Sequence, residues 1–146
     1  MLATRQGLLP DFPRHRLAHA ETNIGLHVAY SVALGEHVAL GPAEVQARLR
    51  EVGATTRAAL DHVAGWRTRE HADEPSAITT LRPPDGVDPM EVRTRLIAEH
   101  AIVTTYLGTE RAPREMHQPA LRVSPHVDVT DDDLAVLAAA LAAATR

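Results

Sequence analysis

Apolar residues recur at helical spacing first and alternate at strand spacing later. Ile24, Val28, Val32 and Val38 lie on a helical repeat that Thr22 or Asn23 can cap and that ends near Gly41. Gly41-Pro42 then punctuates the chain, with Pro42 suited to a first helical position. Val45, Leu49, Val52, Leu60 and Val63, with Thr56 filling the gap, predict a long amphipathic helix to about Val63. Gly53 inside it costs up to about 1 kcal/mol relative to alanine without breaking it. Ala64-Gly65 closes that helix through a left-handed cap.

From there the period changes to two. Trp66-Arg67-Thr68, Ser76 to Leu81, Ile102 to Tyr106 and the stretch from Ala120 to Ser124 read as short strands. Trp66 is the only tryptophan and reads as core. Between the strands, Asp88-Pro89-Met90-Glu91 opens a compact helix, with Asp88 as cap, Pro89 first and Glu91 placed to reach back. Val92 and Leu96 carry its face to about His100, and Ala101 stands where a left-handed turn is expected. Residues 107–119 form a loop, long enough in a compact domain to suggest a function. Thr130 caps a last helix with acidic residues in its first turn, and Leu134, Leu137 and Leu141 stripe it.

The predicted class is α+β: two N-terminal helices, then a small, mostly antiparallel sheet with helices on one face. Three parts follow: a poorly ordered lead-in over 1–19, a helical segment over 20–63, and a C-terminal α+β domain over 64–146. His15 and His19 in the lead-in are four apart, but no third ligand accompanies them and Pro13 weakens a helix there, so no metal site is assigned.

Composition narrows the functions. A formal charge of −4 argues against nucleic acid, which asks for a basic face. There is no cysteine, hence no disulfide, thiol nucleophile or thiolate metal site. Neither a signal peptide nor a membrane span is apparent, and a cytoplasmic protein is expected. All 15 basic residues are arginine, and lysine is absent altogether.

Candidate chemistry gathers around Leu121-Arg122-Val123-Ser124-Pro125-His126-Val127. Alternation sets Leu121 and Val123 on one face and Arg122 and Ser124 on the other, and Pro125 ends the ladder. Arg122 thus stands near the end of a short strand, just before a helix, where a guanidinium fork can grip a carboxylate. The plainer reading is a surface arginine in an ordinary strand.

This stretch resembles the C-terminal motif of the class V aminotransferase and cysteine desulfurase superfamily, fold-type-I enzymes that use pyridoxal phosphate (PLP). Further segments resemble its actinobacterial C–S lyase branch of ergothioneine biosynthesis: Asp73 to Leu81, Pro84-Asp85-Gly86-Val87-Asp88-Pro89, Ile102 to Tyr106 and Arg111 to Met116. The likeness runs from about Ala20 onward. It implies that residues 64–146 are the small domain of such an enzyme, and that the 20–63 segment packs on a large PLP domain and links to the small one. It implies that Arg122 binds the α-carboxylate of an amino-acid substrate, with Thr104, Thr105 and Tyr106 lining the same mouth. In that family a threonine near the first helix reaches the cofactor phosphate. Thr22 is the nearest match, one residue out of step, and helix capping is its favoured role.

The resemblance also implies a reaction: elimination of a sulfur group from a hercynylcysteine sulfoxide, leaving pyruvate and ammonia. These enzymes hold PLP as a Schiff base on a lysine, and this chain has none. No catalytic residue is therefore assigned, no cofactor is expected covalently on this chain alone, and the missing large domain is an expected partner. The alternatives are a portion of a class V aminotransferase and a non-enzymatic binding or dimerisation module. Exposed apolar residues on the first helix predict a homo-oligomer.

Overall fold

The computed structural model describes residues 23–146, which divide into two units at the boundary between Gly41 and Pro42. In the first, helix α1 spans Ile24–Leu40. Asn23 is its cap, accepting from the Leu26 N–H at 3.2 Å, while Thr22 and the lead-in lie outside the described residues. Gly41 ends the helix at φ 81°. No residue of α1 is buried, and Ile24, Val28, Val32 and Val38 are all exposed.

The second unit contains α2 (Pro42–Leu60), β1 (Arg67–Thr68), β2 (Thr79–Arg82), α3 (Pro89–His100), β3 (Thr105–Leu107), β4 (Ala120–Val123) and α4 (Asp131–Ala144). The strands form one sheet in the order β1-β2-β4-β3, antiparallel at every pairing. With the helices this makes the α+β class that the periodicities predict. Among the described residues, no helix is long and apolar enough to cross a membrane.

Register explains the core. Leu81 faces Leu121, and Thr79 faces Val123. Alternation sends all four to one side, where Leu81, Leu121 and Val123 meet Leu60 of α2, Leu96 of α3 and Leu137 and Leu141 of α4. Trp66 is fully buried in this cluster, and its Nε1–H donates to the Thr145 hydroxyl at 2.8 Å.

Several boundaries differ from the sequence expectations, each for a local reason. Helix α2 stops at Leu60 rather than Val63, because the chain reverses through left-handed His62 and Ala64 around a short 3₁₀ turn, Val63–Gly65. Strand β2 begins at Thr79 rather than Ser76: the Ser76 hydroxyl accepts from the Ile78 N–H at 3.1 Å and its carbonyl accepts from Arg57. Strand β3 begins at Thr105 rather than Ile102, because the Ile102 N–H caps α3 on Leu96 and the Thr104 carbonyl accepts from Arg93 Nε. Asp88 caps α3 through the Met90 N–H at 2.9 Å, without a reciprocal bond from Glu91. The reciprocal capping box forms instead between Thr130 and Asp133 at α4. Ala101 takes the left-handed turn at φ 55°.

Candidate substrate-binding face

Helices cover one face of the sheet, and the residues of the opposite face follow from register. Arg122 lies directly between Thr80 on β2 and Thr105 on β3. Its Nη2 is 3.5 Å from the Thr105 hydroxyl, at the limit of a hydrogen bond. Its buried Nε has no hydrogen-bond partner, and no carboxylate among the described residues reaches it at ion-pair distance. A half-buried guanidinium with free N–H groups is suited to a planar oxyanion, above all a carboxylate.

The turn after Arg122 is held from a distance. Arg48 of α2 donates from Nε to the Val127 carbonyl at 3.0 Å and from Nη2 to the Val129 carbonyl at 2.9 Å. His126 pairs with Asp128 at 2.7 Å, and that hydrogen bond holds the Asp128 carboxyl below the usual range. At the next helix, the Thr130 hydroxyl and then its backbone N–H lower Asp133 in the same direction. Strand β4 therefore leads into a turn fixed at both ends.

The other predicted site residues separate. Thr105 stands beside Arg122. Thr104 precedes β3 with its side chain buried and its hydroxyl without a partner. Tyr106 pairs with Leu121 and so belongs to the helix-facing side, half-buried and opposite in direction to Arg122. Thr22 is outside the described residues.

Sequence reasoning missed two arginines on the same face. Arg82 lies two residues along β2 from Thr80, and the Arg69 N–H donates to the Thr80 carbonyl at 2.9 Å. Both line a cleft that includes Met116 and Gln118 of the loop after β3. The signal for Arg82 was its two-residue spacing from Thr80. For Arg69 no local signal existed, because its place depends on the pairing of β1 with β2.

The fold and this face together define a small α+β domain with an arginine-bearing sheet face away from its helices and no lysine anywhere in its sequence. No family model matches the chain. Over 130 residues it is 55% identical to a probable hercynylcysteine sulfoxide lyase of Mycobacterium tuberculosis (strain CDC 1551 / Oshkosh), a match covering 89% of this chain. The chain spans about a third of that relative's length (33%) and is similar to its C-terminal part.

Proposed function

We propose that the chain is the substrate-recognition portion of a C–S lyase acting on a hercynylcysteine sulfoxide, with pyruvate and ammonia as the other products. The observation that carries this reading is Arg122, a half-buried guanidinium on the sheet face away from the helices, with no carboxylate at ion-pair distance among the described residues. Its role is to hold the substrate α-carboxylate, with Thr105 fixing one edge of the fork. Thr104 and Tyr106 serve by shaping the strand that carries Thr105. The likeness to a lyase supports the reaction class.

The cofactor of the resembled enzymes, PLP, needs a lysine, and these 146 residues contain none. The donor set of this chain does not fit it as a covalent anchor. Cofactor and acid–base chemistry therefore fall to a separate lysine-bearing domain, and this chain contributes binding and orientation. Exposure of every apolar residue along α1 supports self-association as part of the same reading.

Mixing the chain and PLP with the part of the M. tuberculosis relative that precedes the matched region tests the proposal. Pyruvate release from the sulfoxide is expected only when both pieces are present. Arg122→Gln is expected to raise KM by the equivalent of about 2–5 kcal/mol, the cost of leaving a desolvated charge unpaired. Failure of the pieces to associate, or an unchanged KM, would favour a non-enzymatic module.

A further inference from the structure

The sheet face away from the helices carries more positive charge than Arg122 requires. Pairing places Arg67 directly opposite Arg82, and like charges facing each other across an antiparallel pair oppose sheet formation. Arg69, beside Thr80, adds a third guanidinium to the same corner. Four arginines of the 42–146 unit are held by protein acceptors. Arg48, Arg57, Arg93 and Arg95 all donate to main-chain carbonyls.

The corner is different. Arg67 turns to the His62 ring, and Arg69 reaches only the Glu115 carbonyl, at 3.5 Å. The exposed Arg82 side chain has no hydrogen-bond or ion-pair partner among the described residues. Arg67, Arg69 and Arg82 thus gather three cations in one corner of a chain whose net charge is −4. A cleft of about 240 Å³ opens there, floored by Thr80 and Ala120 and walled by buried Met116. Two carboxylates adjoin these arginines: Glu115 lines the same cleft, and Glu70 Oε2 accepts from the Thr80 N–H at 2.7 Å, so a ligand carboxylate must compete with both.

We propose that Arg69 and Arg82 form a second carboxylate-binding site, separate from Arg122. Two guanidinium forks converging on a small cleft match the two-oxygen geometry of a carboxylate. Thr80 lies between the sites. Strands are about 4.8 Å apart, so Arg69 and Arg122 are rooted roughly 10 Å from each other across it. One molecule with a carboxylate at each end can reach both. That bridging role rests on the lyase reading given above, whereas the site itself does not.

The test titrates the 146-residue chain with acetate, glutarate or inorganic phosphate at constant ionic strength, following arginine Nε–Hε resonances by NMR. Saturable shifts at Arg69 and Arg82 with glutarate are expected. Arg82→Gln should weaken the response about tenfold, Arg82→Lys should recover part of it, and Arg50→Gln, at an exposed position of α2 outside the cleft, should leave it unchanged. Circular dichroism confirms that the variants stay folded. Absence of saturable shifts at both arginines, or an affinity indifferent to Arg82→Gln, overturns the site. A stronger response to phosphate than to glutarate overturns its assignment to carboxylate. Arg122→Gln separates the two readings: weaker glutarate binding at Arg82 supports one bridging molecule, and unchanged binding supports an independent site while removing its link to the lyase substrate.

Discussion

Gly53 of α2 and Ser76 of the segment before β2 approach so closely that a Cβ on residue 53 would collide with the Ser76 carbonyl oxygen. The same Cβ would lie 2.8 Å from the Ala77 Cα. Helix propensity alone favours alanine at position 53 by up to about 1 kcal/mol. The contact reverses that preference. Gly53→Ala is expected to destabilise the 42–146 unit by about 2 kcal/mol net, since both obstructing atoms are backbone. Urea unfolding followed by Trp66 fluorescence measures it, and a variant as stable as the parent refutes the close-packing account. Gly35→Ala, with open space around it, is the control without this penalty.

Arg57 explains why the Ser76 segment sits where it does. Its side chain is 3% exposed and donates to the carbonyls of Ser76 at 2.9 Å, Glu74 at 2.7 Å and Ala72 at 3.3 Å. Arg57→Met leaves these acceptors without their donor and is expected to cost about 3 kcal/mol. Lysine keeps the charge but cannot present a planar fork to three carbonyls, so Arg57→Lys should recover less than half of the loss. Denaturant midpoints for the two variants decide this. Full rescue by lysine would mean that charge rather than geometry matters.

Trp66 and Thr145 close the other end of the core. The Thr145 hydroxyl accepts from Trp66 Nε1 at 2.8 Å and donates to the Leu141 carbonyl at 2.6 Å. A double-mutant cycle of Trp66→Phe and Thr145→Val is expected to give a coupling of about 1 kcal/mol. Additive effects would show the bond to be energetically silent.

These contacts mark the limit of what the sequence discloses. Asp88-Pro89, Thr130 and Ala101 announce helix ends because capping is settled within four residues of chain. Trp66 and the Leu134, Leu137 and Leu141 stripe announce the core because burial follows hydrophobic period. Arg57 gave no such signal: its acceptors lie 15 to 19 residues away, and nothing local distinguishes it from a solvated arginine. The candidate site divides the same way. Arg122 was legible from alternation within its own strand. Which of Thr105 and Tyr106 shares the face of Arg122 waited on the register with β4, which begins at Thr105, three residues later than the branched residues suggest.

Acid stability offers a test of the α4 cap. Thr130 holds the Asp133 carboxyl below its ordinary value through its hydroxyl and its backbone N–H. A carboxyl depressed in the folded state adds stability above its unfolded value of about 3.9, and that contribution is lost as pH falls through the lower folded value. Asp133→Asn should therefore be less stable than the parent at pH 6. The gap should narrow as the pH is lowered below about 4. Urea titrations of both proteins between these limits measure it, and curves that stay parallel throughout would rule out the linkage.

Self-association through α1 is the last expected outcome. Val28, Val32 and Val38 are 59%, 56% and 61% exposed, and Ile24 and Tyr30 are more exposed still, at 77% and 69%. Leaving apolar surface in water costs about 25 cal/mol for each Å², so several such side chains approach the whole stability of a small domain. Pairing these helices between copies relieves that cost without any change in the 42–146 unit. A dimer or larger species is expected at tens of micromolar, with Val28→Asp and Val32→Asp shifting it toward monomer. Light scattering of a monodisperse parent monomer, with solubility indifferent to both substitutions, would exclude α1 as the contact.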